Sequence, residues 1–335
     1  MVQLFRKVPE LTFLICITVI AYAVIEIAAK SGTEPVLGSF SSIDLIIISF
    51  VFSTAIAIVA VIAGVGGGVI FTPIMLAFTS IDTLIIRSTG LVVAMFSGLV
   101  ATGPFMRKGL ADIKLVFFGA VPIIVGGLAG AFAAIFLATH LGETGDAWVR
   151  LTLGITLVLI ALLFIFGGSN TEYPRPRKVD PLGQRLRLRN TYWEESLQER
   201  IRYRAINVAF GGFLFFFVGF TGGFFGLGGG WAVVPVLNLV MAIPLKVSAA
   251  SSGVLLAMGN AAAIWPYLTV GALIGIVAAP WMLGQVIGGI IGAHILATIK
   301  AAFVRNLLIA LLILTSLKLI ARGLERLLKI EIPIL

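Results

Sequence analysis

Cysteine, histidine and charge are scarce in this sequence, and each scarcity removes a class of function. The one cysteine in 335 residues, Cys16, lies inside an apolar run, so neither a disulfide framework nor a thiolate metal cluster is available. With two histidines, the chain has no His-Glu-x-x-His, no paired aspartates and no Ser/His partnership at workable spacing. An enzyme acting on lipid or peptide inside the membrane would therefore lack its chemistry. Charged residues make up 12% of the chain against 59% apolar, and mean hydropathy is +1.12. A water-soluble domain of this length needs a far more charged surface. The chain reads as an integral membrane protein, for which no metal or cofactor is expected.

The charge that is present sums to +9 and clusters in short segments beside apolar runs. That is the signature of positive-inside topology rather than of a nucleic-acid surface. Apolar runs long enough to cross a hydrocarbon core of roughly 30 Å fall at about 11–29, 43–63, 84–104, 113–138, 147–167, 205–225, 246–268, 272–297 and 303–321. These runs are unbroken and do not alternate, so they predict helices and not the strands of a barrel. Arg6 and Lys7 lead into the first run, which predicts a retained helix rather than a cleaved signal. The expected fold class is therefore an all-α, multi-pass protein of the cytoplasmic (inner) membrane. Two further stretches, about 66–80 and 228–243, are short and begin in glycine.

Residues 168–204 stand apart, with nine of the 24 basic residues against five acids. They predict a cytoplasmic linker whose part from Leu182 to Arg204 forms either an amphipathic helix on anionic headgroups or a plain solvated connector. The linker separates two halves that repeat. At an offset of 162, Gly64-Val-Gly-Gly-Gly68 and Pro73 fall on Gly226-Leu-Gly-Gly-Gly230 and Pro235, Gly109 on Gly271, and Gly126, Gly127 and Gly130 on Gly288, Gly289 and Gly292. Ser88-Thr89-Gly90 falls on Ser251-Ser252-Gly253 with a shift of one. This is a duplicated, transporter-like organisation: an extra N-terminal helix in residues 1–40, a first repeat in 41–167, the linker, and a second repeat in 205–335. Basic Arg107, Lys108 and Lys114 suggest an inside loop, acidic Glu143 and Asp146 an outside one. If the short glycine-led stretches cross, each repeat has five segments and the two are inverted, with Arg322, Arg326 and Lys329 outside. If they are re-entrant, the C-terminus moves inside and the repeats are parallel. The charges favour inversion.

Gly66-Gly67-Gly68 and Gly228-Gly229-Gly230 each open a short apolar helix. Consecutive glycines unwind the backbone and leave N–H groups open at a helix start, where a partial positive charge attracts anions. Close helix packing is the competing explanation for one such run; two equivalent runs point to a site. Neither run continues as a phosphate loop or sits in a dinucleotide fold. The pairs Ser88-Thr89 and Ser251-Ser252 could donate to an oxyanion or bond back to their own helices. Arg87 and Lys246 could attract an entering anion, although snorkelling to the interface is the simpler expectation. Among polar residues inside apolar segments, Asn238, Asn260, Gln285 and His294 need partners or a cavity. Asn260 is the substrate-site candidate, His294 a structural one, and Trp231 could wall the site. The spaced glycines Gly126, Gly130, Gly288 and Gly292 read as helix-packing devices.

This doubled arrangement of Gly-x-Gly-Gly-Gly, four residues, Pro, then a small-Ser/Thr pair and a lone glycine before the next helix resembles the TauE/SafE family of sulfite and organosulfonate exporters. The second copy matches closely, from Gly226 through Pro235, Pro244, Lys246, Ala250-Ser251-Ser252 and Gly271, over a resemblance that spans about residues 43–321. The first copy departs in having Arg87 where the family usually has a small residue. What the resemblance implies is transport of sulfite, sulfoacetate or related sulfonates. No carboxylate lies in the middle of a spanning segment of either repeat, as proton- or sodium-coupled uptake would lead one to expect. Export needs no coupling ion, because an inside-negative potential favours a leaving anion by roughly 2.3 kcal/mol per charge per 100 mV. Alternating-access efflux is the expected mechanism, an anion channel is the alternative, and a homodimer is expected from transporter habit alone.

Overall fold

The structure, a computed structural model, describes residues 42–63, 66–79, 81–107, 109–166, 173–174, 180–194, 198–295 and 301–328. The expected leading helix over 11–29, with Cys16 and Glu26, and the glycine Gly64 lie outside these residues, as does the side chain of His294. Helices α1 (Ser42–Ala63), α2 (Gly68–Phe78), α3 (Thr83–Arg107) and α4 (Ile113–Phe166) precede the linker. After it come α6 (Val208–Phe225), α7 (Gly230–Pro235, continued by a π turn over Val236–Val240), α8 (Leu245–Thr269), α9 (Gly275–Ile295) and α10 (Ala301–Leu328). The linker itself holds α5 (Pro181–Arg185), β1 (Arg189–Glu194) and β2 (Glu199–Arg204).

Residue size, more than polarity, decides which way each helix faces. On the first limb of α4, Ile113, Phe117, Val121, Val125, Phe132 and Phe136 are exposed at intervals of one or two turns, as one apolar stripe facing outward, while Ala120, Ile123, Ala131 and Ala134 are buried. The inward glycines let α6 pack at backbone distance: a Cβ on Gly126 would meet the Phe216 carbonyl at 2.1 Å, and one on Gly223 the Gly127 carbonyl at 2.1 Å. The same device joins α9 to α1, where a Cβ on Gly288 would meet the Thr54 carbonyl at 2.3 Å. In both pairs, later residues of one helix meet later residues of the other, so each pair is parallel. Gly142, with φ +49°, breaks α4 in a conformation that favours glycine, and the chain reverses there until Gly145 lies against the Leu137 carbonyl.

The bundle has two distinct ends. At the Gly142 end, the Thr83 hydroxyl donates to Asp146, and Arg326 of α10 stands 3.9 Å from Asp146. At the other end sits the linker. It is neither an amphipathic helix nor a solvated connector: β1 and β2 form an antiparallel hairpin in register Arg189↔Arg204 and Tyr192↔Ile201. The cause is a period of two that competes with the helical reading. Arg200, Arg202 and Arg204 point outward, while Tyr192, Glu194 and Tyr203 are buried on the other face. The all-α expectation is thus corrected to a mostly helical bundle carrying one β-hairpin.

Candidate functional site

The two glycine runs meet in the middle of the bundle. A Cβ on Gly230 would stand 2.6 Å from the Gly66 nitrogen, and one on Gly68 would stand 2.6 Å from the Leu227 carbonyl and 2.8 Å from that of Gly90. From this crossing α2 runs toward the Gly142 end, where the Leu76 carbonyl accepts from Arg150, and the helix begun by α7 runs toward the hairpin end, where Asn207 donates to the Val240 carbonyl. Two helix N-termini therefore face one another across touching backbones, and both carry partial positive charge.

Polar side chains from α3, α8 and α9 surround the crossing. The Gly67 N–H donates to the Ser97 hydroxyl at 3.1 Å, and the Asn260 amide lies against Gly228, 3.0 Å from where a Cβ would be. The Gln285 Oε1 occupies the space a Cβ on Gly67 would need, 2.5 Å away, while its Nε2 donates to the Ser53 carbonyl at 3.2 Å. Two buried polar atoms here have no protein partner, Asn260 Nδ2 and Gln285 Oε1, and a third is the Nε1 of Trp231, which follows Gly230 and packs among apolar side chains. The Thr89 hydroxyl, on α3, is a fourth buried atom without one. Unpaired buried polar groups are costly, and the Asn260 Nδ2 is a donor at a point already favourable to negative charge. Gly229 completes the run, packed against Val218 and Leu256.

The other candidates lie elsewhere. Ser88 donates to the Ile85 carbonyl and reaches the Ala272 carbonyl at 2.9 Å, fixing the turn before α9; Ser251 accepts from the Asp112 N–H at 3.0 Å, fixing the turn before α4. Ser252 bonds back to the Ala249 carbonyl. Asn238 is satisfied by the Ile243 carbonyl at 2.8 Å. Of the two cations, Arg87 does not snorkel as expected, whereas Lys246 stays half-exposed. Lys246 is held at the hairpin by the buried carboxylate of Glu194, and Arg87 is fully buried with its backbone against Gly226. An apolar wall that includes Phe224, 5.9 Å from the guanidinium, takes the place of the interface. Sequence reasoning missed Ser97 and Arg150. Ser97 was within reach, since it precedes Asn260 by 163 residues, the separation of Ser88 from Ser251.

The hairpin closes the opposite end through a second buried acid. Asp112 caps the first turn of α4 by accepting from the Lys114 N–H, and it also accepts from the Tyr203 hydroxyl at 2.6 Å and from Asn190. Burial first, and then this bond to Asp112, push the Tyr203 phenol well above its ordinary range, so it stays a neutral donor.

A family model described as "Sulfite exporter TauE/SafE" matches residues 48–319, from within α1 to within α10, and so includes both glycine runs. The chain belongs to the TauE/SafE family. Relatives of this TauE/SafE protein are described more coarsely, as membrane transporters. One is the "Probable membrane transporter protein YunE" of Bacillus subtilis (strain 168), 25% identical over 82% of this chain and 98% of the relative. Another is a "Probable membrane transporter protein" of Haemophilus influenzae (strain ATCC 51907 / DSM 11121 / KW20 / Rd), 24% identical over 83% of this chain and 95% of the relative. No solved structure matches the chain. The TauE/SafE family is one of membrane transporters, and four helices among the described residues are long and apolar enough to cross a bilayer. This member is accordingly a multi-pass membrane transporter.

Proposed function

We propose that this TauE/SafE protein exports small sulfur-containing oxyanions, such as sulfite, sulfoacetate or related organosulfonates, across the cytoplasmic membrane by alternating access. The observation that carries the reading is the convergence of two helix N-termini at the glycine crossing, with an unpaired donor from Asn260 beside it. Fixed dipoles and neutral donors can offset an anion's desolvation without binding it so tightly that it cannot leave. Gly66, Gly67, Gly68, Gly228, Gly229, Gly230, Ser97 and Asn260 form this site, and Thr89 and Gln285 border it.

The moving parts are two inverted repeats. What supports this is the reciprocity of the packing: α4 lies parallel to α6 as α9 lies parallel to α1, and Ser88 ties down the start of α9 as Ser251 ties down the start of α4. The start of α4 is at the hairpin end and the start of α9 is near the Gly142 end, so corresponding helices run in opposite directions.

Counterflow of labelled sulfite and sulfoacetate in proteoliposomes tests the function. The expectation is saturable exchange, faster efflux under an inside-negative potential, and an apparent affinity weakened roughly 10–100-fold by Asn260→Ala, equivalent to losing a hydrogen bond to a charged group of about 1.5–3 kcal/mol. Unitary currents without saturation would make the crossing a channel, and exchange unaltered by Asn260→Ala would move the site elsewhere.

A further inference from the structure

Arg87 and Arg150 are the fully buried guanidinium groups among the described residues, 0% and 2% exposed. Arg87 leaves Nε and Nη1 without a partner, and Arg150 leaves Nε without one. The bonds they do make are few and neutral. Arg87 Nη2 donates to the Thr83 hydroxyl at 3.4 Å, its guanidinium also faces the Tyr267 hydroxyl, which donates to the Gly223 carbonyl, and Arg150 Nη1 donates to the Leu76 carbonyl. Arg326, Asp146, Arg322 and Arg87 all lie close enough to Arg150 to act on its charge, and three of these four are themselves cations. The Asp146 carboxylate is already shared, accepting from Thr83 and facing Arg326 at 3.9 Å. A desolvated cation without a counter-charge is among the costliest arrangements a bundle can hold. Guanidinium groups, moreover, offer planar forks of donors that match the spacing of two oxygens on one anion.

We propose that this cluster, between α3, the second limb of α4 and α10, is an oxyanion-binding site in which Arg87 and Arg150 donate their unused N–H groups to the oxygens of one anion. Arg322 and Arg326 draw the anion in from the Gly142 end. The ligand is an oxyanion with at least two acceptor oxygens, either a free ion of the sulfate type or the phosphate of a lipid headgroup. The site adjoins the glycine crossing, since the Arg87 backbone packs on Gly226, but its donors are different residues. It stands whether or not the crossing binds substrate.

The test is thermal unfolding of the purified full chain in detergent, titrated with sodium sulfate against sodium chloride at equal ionic strength, together with native mass spectrometry for retained phosphatidylglycerol. Ligand that binds the folded state raises its melting temperature. The free-ion form of the proposal expects a saturable sulfate-induced rise that survives Asn260→Ala and is lost in Arg150→Gln. The lipid form expects no sulfate response but bound phosphatidylglycerol that Arg150→Gln releases. If Arg150→Gln does not fold, hydrogen exchange on the unsubstituted chain replaces it, with sulfate or added phosphatidylglycerol expected to slow exchange over residues 83–90 and 146–154. The proposal is overturned if neither ligand separates the parent from a folded Arg150→Gln, or if neither slows exchange in those segments.

Discussion

A Cβ placed on Gly230 would stand 2.6 Å from the Gly66 nitrogen and 2.9 Å from its Cα, whereas one placed on Gly66 would stand 3.6 Å from the Gly230 Cα. The first is an overlap with backbone that has no room to move, and the second is ordinary contact. Gly230→Ala is therefore expected to destabilise the protein by about 1–3 kcal/mol, as overpacking does, while Gly66→Ala stays close to the parent in thermal unfolding in detergent. Equal losses from both substitutions would mean that the two runs do not cross as described. At this scale the glycines were legible because their spacing repeats. Ser97 was not singled out because a membrane serine usually bonds back to its own helix, and only the fold brings its hydroxyl to the Gly67 N–H. Arg87 misled for a related reason. An arginine near a helix start ordinarily reaches the interface, and what prevents it here is Phe224 and Tyr267 from the second half of the chain, which no local pattern encodes.

The hairpin is the element the sequence concealed most. Its basic residues and aromatic pair fit a surface helix, but Arg200, Arg202 and Arg204 alternate with Ile201 and Tyr203, and the buried Glu194 has its cation 52 residues away on α8. Long-range pairing of that kind cannot be read from composition. It also sets an order for two substitutions. Lys246→Met would leave the Glu194 carboxylate, 0% exposed, without its nearest cation, whereas Glu194→Gln would leave an amide opposite a lysine that is 49% exposed and can turn to water. The first is expected to cost about 1–3 kcal/mol, less than the roughly 3–5 kcal/mol of a fully buried broken pair because water reaches the lysine. The second should cost clearly less. Limited proteolysis within 195–204 measures both, with Lys246→Met cut faster. The reverse order would show that the pair does not hold the hairpin down.

For the molecule as a whole, the mostly helical, apolar character was legible because apolar runs are local features, while the direction of the second half depended on weakly biased loop charges. Arg322 and Arg326 argued for the inside by sign alone, yet Arg326 faces Asp146 at the Gly142 end, opposite the basic hairpin. Their charge has another use there, beside the buried Arg150, so an outside location no longer conflicts with a positive-inside bias set chiefly by short loops. The arrangement fixes which surfaces share a side of the membrane. With Cys16→Ser as background, single cysteines introduced as Glu143→Cys and Leu328→Cys are expected to react with a membrane-impermeant maleimide from one side, and Arg202→Cys only from the other. All three positions are exposed, so a failure to label cannot be blamed on burial. If Leu328→Cys labels with Arg202→Cys instead, α10 ends on the linker side and the repeats are parallel. The half-helices α2 and α7 would then not point to opposite faces of the membrane, and alternating access about the crossing would lose its symmetry.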